Sequence, residues 1–221
     1  MKRILFIALF LLVLFIGYWI SVTPAYETLD IDHILENARS GLTENQEIVV
    51  FNSKNPFNFH DIFHRIDEIA DQQVFGILTK PNKEGVFPLI IGVAGSAGWG
   101  EHHYGYLNRY LEMGFAVFSL HSFKSRGIES TVGEQLAVTI PMMIYDAFKA
   151  LNTLAKDAQI DANRAGLTGW SLGGGVTLFS AWSPIQELIS PDLIFAAHLP
   201  FYPPCMIMPD VLRFNDVPIH I

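Results

Sequence analysis

Short apolar runs alternate with longer segments of helical periodicity along most of this 221-residue chain. Runs that are rich in β-branched and aromatic residues and closed by turn residues are typical of strands. They predict strands at residues 47–51, 73–79, 87–93, 115–120, 166–168 and 193–199, and the start of another at 217–221. The run at 87–93 is apolar throughout, which indicates a strand buried on both faces.

Three segments between these strands have the spacing of helices. Residues 101–113 are predicted to form a helix that ends at Gly114, and a second helix is predicted to begin at Leu172. The third segment has an apolar face, formed by Met143, Ala147, Ala150, Leu151 and Leu154. Strands that alternate with helices predict an α/β fold with a mostly parallel sheet and helices on both of its faces.

The start of the third helix is predicted from a capping pattern. Thr131 is followed by Glu134, which matches the sequence of a capping box. We therefore expect this helix to begin near Val132. Pro141 is expected to kink the helix or to restart it, because proline cannot donate a helical hydrogen bond.

A long uncharged run follows the two basic residues at the amino terminus, Lys2 and Arg3. This run, residues 4–20, lies between the length of a signal peptide's apolar part, about 7–15 residues, and that of a spanning helix, roughly 17–25. Tyr18 and Trp19 favour a retained anchor, because aromatic residues concentrate at the membrane interface.

A cleavable signal is the alternative, since residues 23–25 offer a small-residue site for a signal peptidase. We expect residues 1–25 to be a signal peptide or a membrane anchor, in contact with the membrane through residues 4–20 if uncleaved. Residues 26–221 are expected to be the exported domain, which would then be periplasmic, extracellular or held at the cell envelope.

Composition excludes several classes of protein. Half of the residues are hydrophobic and 16% are charged, which is too apolar for a disordered chain. A formal charge of −8 and the lack of a basic cluster after residue 3 argue against a nucleic-acid partner. The single cysteine, Cys205, excludes a disulfide framework and a cysteine-rich metal site.

The candidate chemistry is concentrated at Gly169-Trp170-Ser171-Leu172-Gly173, a G-x-S-x-G sequence. In this motif a strand turns sharply into a helix and leaves the serine on strained backbone at the tip. Such a serine is a candidate nucleophile, and the helix start offers N–H groups to an oxyanion. The alternative is a glycine-rich turn in which a buried serine caps the helix.

A second glycine-rich segment, residues 94–100, follows the strand at 87–93. In hydrolases with this motif, one oxyanion donor is the N–H of the residue after the nucleophile, here Leu172. The other donor comes from the earlier loop, here the N–H of Ser96. The glycine spacing fits neither a dinucleotide fingerprint nor a phosphate-binding loop, so a simple flexible turn is the remaining alternative.

Three stretches together resemble the dienelactone hydrolase family of α/β-hydrolases, and a fourth, residues 201–205, looks like the family's exit from the strand after the nucleophile helix. The three are residues 92–98, 120–127 and 167–175, and the likeness covers most of the chain from about residue 73 onwards. The resemblance implies hydrolysis of a small-molecule ester or lactone through an acyl-enzyme, with no metal or organic cofactor.

The sequence departs from the family pattern at three positions. The family's His-Gly at the oxyanion loop is Ala94-Gly95 here, and an Asp before Ser-Phe is His121. The archetype of the family uses cysteine as the nucleophile, whereas this motif carries Ser171.

The catalytic partners of the serine are a further departure. In this fold the order is serine, acid, histidine, and serine needs an adjacent base to accept its proton. The sequence reaches residue 221 inside the strand whose exit should carry the acid. The sequence therefore predicts an incomplete α/β-hydrolase, which lacks the last strand and helices as well as the acid and the histidine.

Other polar residues are weaker candidates for a catalytic role. His198 is expected to be a satisfied buried histidine, and Asp210 lies in a loop on the correct side without a histidine to pair with. His102 and His103 are expected to face solvent at a helix start, and Arg126 is expected to anchor the loop that follows it. His60 and His64 have the spacing of a metal pair on a helix, although a polar helix face is the favoured interpretation.

Two functions follow from these observations. The first is a serine esterase or lactonase, which as this chain would be inactive for lack of its base. The second is a non-catalytic envelope protein, or a remnant, that keeps the hydrolase fold.

Overall fold

A six-stranded mixed sheet carries the fold in the computed structural model, which describes residues 31–221. The predicted signal or anchor, residues 1–25, lies outside the described residues. Within residues 31–221, no helix combines the length and the apolar content needed to cross a membrane.

The strands follow one another in the sheet in the order β1-β2-β4-β3-β5-β6. Their bounds are Gln46–Lys54 (β1), Asp71–Thr79 (β2), Phe87–Val93 (β3), Ala116–Leu120 (β4), Ile160–Trp170 (β5) and Ala197–Phe201 (β6). Strand β2 pairs antiparallel with β1 and β4, whereas β4, β3, β5 and β6 pair in parallel. The carboxyl ends of the four parallel strands therefore meet at one edge of the sheet.

The helices cover both faces of the sheet, as predicted. Their bounds are Ile31–Arg39 (α1), Phe59–His64 (α2), Glu101–Glu112 (α3), Ile140–Leu154 (α4), Leu172–Phe179 (α5) and Ser183–Ile189 (α6). On β3, Leu89, Ile91 and Val93 join the large core on the side of α4, α5 and α6. Ile90 points to the other face, where it packs with Leu107 of α3. This alternation explains why the strand has no polar face.

The prediction that a helix begins near Val132 is wrong. Residues 131–139 are irregular, and α4 begins at Ile140 with Pro141 in its first turn. Gly133 has a φ of 85°, in the left-handed region that a right-handed helix cannot contain. Proline is favoured in the first turn because the N–H that it lacks has no helical partner there. The apolar face predicted around Met143 is confirmed as buried.

Three predicted strands differ clearly from those observed. The strand predicted at 193–199 is β6, which begins four residues later and ends at Phe201. Strand β5 extends from Ile160 to Trp170, well beyond the predicted 166–168, because its polar first half pairs with β3 through an irregular register. The strand predicted at 217–221 is present only as an isolated bridge between His198 and Ile219.

A buried ion pair ties the loop after β4 to the core. Arg126 lies against Asp146 of α4 with two parallel contacts, of 2.8 and 3.1 Å. The remaining guanidinium hydrogen bonds go to Asn55 Oδ1 and to the carbonyls of Ser122 and Lys54. The prediction that Arg126 anchors this loop is confirmed, and all five of its N–H groups are used.

Candidate active site

Ser171 stands at a sharp bend between β5 and α5, as the G-x-S-x-G sequence predicts. Its φ of 51° and ψ of −113° lie outside the ordinary regions for a residue with a side chain. The bend is held by two backbone bonds, from Ser171 N–H to Phe201 O and from Gly175 N–H to Ser171 O, both 3.0 Å long. Strained backbone of this kind is found where surrounding structure enforces it.

The glycines of the motif are enforced by close backbone contacts. A Cβ atom added to Gly169 would overlap the carbonyl of Gly173, and one added to Gly173 would overlap the carbonyls of Val93 and Ala94. Strand β5, helix α5 and the end of β3 therefore meet backbone to backbone beneath the serine.

The alternative of a buried capping serine is wrong. Ser171 is exposed, and its side chain makes no hydrogen bond to the first turn of α5. A serine that caps a helix has extended backbone and accepts an N–H from that turn. Ser171 has neither feature.

The loop after β3 lies beside the bend. A Cβ added to Gly95 would stand 3.0 Å from the carbonyl oxygen of Trp170 and 3.5 Å from Ser171 Cβ, so this loop packs directly on the serine. The loop is a tight turn, closed by a 2.9 Å bond from Gly98 N–H to Gly95 O.

The irregular segment before α4 holds this loop in place. The carbonyl of Ser96 accepts the Thr131 N–H at 2.8 Å and the Ser130 hydroxyl at 3.0 Å. Gln135 Nε2 also donates to Ser96 Oγ at 3.4 Å. These bonds argue against the alternative of a simple flexible turn. The same bonds oppose the helix that was predicted to begin near Val132.

The two predicted oxyanion donors remain available in the described part of the chain. Neither the Leu172 N–H nor the Ser96 N–H donates to another group of residues 31–221. Leu172 opens α5, where N–H groups lack helical partners. Together with the exposed Ser171, they form the candidate site.

His103 is buried, which corrects the prediction that it faces solvent, whereas His102 is exposed. The Gly100 N–H donates to His103 Nδ1 at 3.0 Å, and the His103 ring lies 4.7 Å from that of Trp170. Burial, together with the neighbouring His102, lowers the pKa of His103 to about 4. His103 thus helps to begin α3, a role that its spacing in the sequence does not reveal.

Two further histidines are buried beside the sheet. His198 in β6 is buried, as predicted, with Nδ1 2.9 Å from Thr177 O, but its buried Nε2 has no hydrogen-bond partner within residues 31–221, so only one ring nitrogen is satisfied. Burial lowers its pKa to about 4. His121 stacks on Phe75 with ring centroids 5.1 Å apart, and burial lowers its pKa to about 3.

The remaining candidates, Asp210, His60 and His64, form no hydrogen bond with Ser171. Asp210 is exposed. The rings of His60 and His64 lie 4.6 Å apart, and among residues 31–221 no group of three or more possible metal ligands is present. Nor does any hydrogen bond in this range join Ser171 Oγ to a histidine or a carboxylate.

The buried neutral histidines predict that acid destabilises the fold. The pKa of His121 is about 3 in the folded protein and returns to about 6.5 on unfolding. Between these two pH values only the unfolded chain binds the proton, so the free energy of unfolding decreases as the pH falls below about 6.5. One such group contributes a slope of about 1.4 kcal/mol per pH unit. In urea denaturation between pH 6.5 and 5, we expect His121→Phe to reduce the slope by about this amount.

His33→Phe, at an exposed position of α1, is the matched control and should leave the slope unchanged. An unaltered slope in His121→Phe would show that His121 is already protonated, or free to become so, in the folded protein.

Comparison with known proteins shows the fold. No protein-family model and no curated protein matches the sequence. The solved structure of m3DLH is 19% identical, with a TM-score of 0.51 over 76% of this chain and 63% of that one. A dienelactone hydrolase-like promiscuous phosphotriesterase from metagenomic libraries is 15% identical, with a TM-score of 0.48 over 76% of this chain and 63% of that one.

Esterase Est22 is also similar, at 18% identity and a TM-score of 0.46 over 70% of this chain and 42% of that one. The chain thus spans 63% of the length of each of the first two proteins. The predicted fold, an α/β-hydrolase fold resembling that of dienelactone hydrolases, is confirmed.

Proposed function

We propose that this chain, whose fold is that of dienelactone hydrolase-like α/β-hydrolases, carries the nucleophile and oxyanion site of a carboxylic ester or lactone hydrolase. The observation that supports the proposal is the exposed Ser171 on strained backbone, followed by the Leu172 N–H and packed against the loop that carries the Ser96 N–H, neither of which donates a hydrogen bond within residues 31–221. Strain of this kind is characteristic of functional positions.

The proposed reaction has two steps. Ser171 Oγ attacks the carbonyl carbon while its proton passes to a base, and the N–H groups of Leu172 and Ser96 stabilise the negative oxygen. The bond to the alcohol breaks as the carbonyl reforms, and the alcohol takes up a proton. Water then attacks the acyl-enzyme in the same manner and releases the acid and the free serine.

The base is the missing component of this proposal. Without one, serine is a weak nucleophile, and within residues 31–221 no histidine is hydrogen-bonded to Ser171. This observation favours a second candidate function, a non-catalytic envelope protein that keeps the hydrolase fold. The sequence supports an envelope location for either candidate, through the uncharged run at residues 4–20.

A fluorophosphonate probe with added imidazole tests the proposal. The probe reports attack by the serine alone, and imidazole supplies a base in solution. We expect slow labelling of the full chain, faster labelling with imidazole, and none in Ser171→Ala under either condition. Labelling would be followed by intact-protein mass spectrometry.

Ser40→Ala is the control, because it removes another exposed serine hydroxyl that lies outside the candidate site. It should be labelled like the unmodified chain. If the folded chain resists the probe even with imidazole, or if Ser171→Ala still reacts, the hydrolase proposal fails and the non-catalytic function is favoured.

A further inference from the structure

A cavity of about 310 Å³ opens beside the oxyanion loop, between the ends of β3 and β4. Ala94, Ala97 and Gly98 of the loop form one wall, and Gly95 of the same loop packs on Ser171. The cavity and Ser171 therefore border the same loop, although Ser171 itself does not line the cavity.

Aromatic residues make up four of the nine other lining residues, which also include the polar Ser122, Lys124 and Glu129. The four are Trp99, Tyr104, His121 and Phe123, and Met143 contributes to the lining from α4. The rings of Trp99 and Tyr104 are stacked with centroids 5.1 Å apart, and Trp99 Nε1 donates to Leu120 O at 3.0 Å. The indole is thus fixed in place before any ligand binds.

The cavity has little capacity for a charged ligand. Lys124 and Glu129 are its fully charged side chains, and their charges cancel. His121 is buried, and burial keeps its imidazole neutral at ordinary pH by lowering its pKa to about 3. A bound carboxylate would lose its hydration without gaining a net positive partner.

From this lining we propose that the cavity binds an uncharged aromatic ring of the ester, so that the substrates are neutral esters bearing one aromatic ring beside the carbonyl. This inference rests on the proposed function only for the identity of the ligand as an ester. The volume supports one ring with a short substituent, because cavities for drug-sized ligands begin at about 300 Å³. Ring-on-ring packing supplies the preference over a saturated group.

Binding of unreactive ketones tests this proposal without any need for catalysis. Acetophenone carries a phenyl ring beside a carbonyl, and cyclohexyl methyl ketone is its saturated counterpart. We expect acetophenone to quench part of the tryptophan fluorescence, through Trp99, and to bind about two- to tenfold more tightly than the saturated ketone. Benzoate should bind at least about tenfold more weakly than acetophenone.

Two variants locate the binding. Ala97→Phe adds bulk at an exposed position of the wall and should abolish acetophenone binding while leaving the fold intact. The control is Gly105→Phe on α3, where an added Cβ meets no atom within 4 Å, and it should bind acetophenone normally. Equal binding of the two ketones, tighter binding of benzoate, or unchanged binding in Ala97→Phe would each overturn the proposal.

A competition experiment separates this inference from the proposed function. Saturating acetophenone should slow fluorophosphonate labelling of Ser171, because the ring would occupy the adjacent space. Binding that does not affect labelling would overturn the assignment of the cavity to the substrate. If Ser171 is never labelled, the proposed function fails, while the ketone series still decides whether the cavity is an aromatic site.

Discussion

Asp146→Ala is expected to lower the free energy of unfolding by about 3–5 kcal/mol, which is a large share of the about 5–15 kcal/mol that stabilises a typical domain. Asp146 is fully buried and accepts two hydrogen bonds from Arg126 and one, of 2.5 Å, from the Ser53 hydroxyl. Its removal leaves a buried guanidinium without its counter-charge. Urea denaturation followed by circular dichroism measures the loss.

Glu187→Ala is the matched control, since Glu187 also forms a two-point pair with an arginine, Arg213, but at an exposed position. Water replaces such a partner readily, so little change is expected. The double variant Arg126→Met, Asp146→Leu should be more stable than Asp146→Ala, because no unpaired charge remains. If Asp146→Ala and Glu187→Ala are equally mild, the buried pair does not stabilise the fold.

Gly173→Ala is expected to destabilise the fold by about 3 kcal/mol or more, although it adds one methyl group. That methyl would overlap the carbonyl oxygens of Val93 and Ala94. Both are backbone atoms, so neither can move without displacing the end of β3 and the oxyanion loop. Thermal unfolding would show the loss as a lower Tm.

Gly105→Ala tests whether this effect comes from the contact or from replacing glycine in a helix. Gly105 lies inside α3 with no atom within 4 Å of an added Cβ. Alanine is favoured over glycine in a helix by roughly 0.5–1 kcal/mol, so this variant should be slightly more stable. A similar loss in both variants would contradict the close packing described for the bend.

The features predicted well from the sequence are those fixed by local patterns. Strand β3 was predicted with its observed bounds, because its seven residues form one uninterrupted apolar run. The bend at Ser171 was predicted because the G-x-S-x-G sequence follows a short strand and precedes a glycine-rich helix start, which is the local context of this motif.

The features that the sequence did not reveal depend on contacts between distant residues. The capping pattern at Thr131 was misread because Thr131 N–H binds Ser96 O, 35 residues away in the chain. Asp146 meets Ser53 across 93 residues, and no spacing rule connects them. The burial of His103 follows from its packing against Trp170, which a helix pattern alone cannot predict.

The left-handed backbone at Ser171 has one more consequence. Holding a residue with a side chain in such a conformation costs of order 1–3 kcal/mol, which glycine would largely avoid. Ser171 therefore destabilises the native state, and its side chain makes no capping hydrogen bond to α5 that would offset this cost. A more stable backbone and an exposed hydroxyl cannot both be obtained at position 171. The sequence has the residue that supplies the hydroxyl.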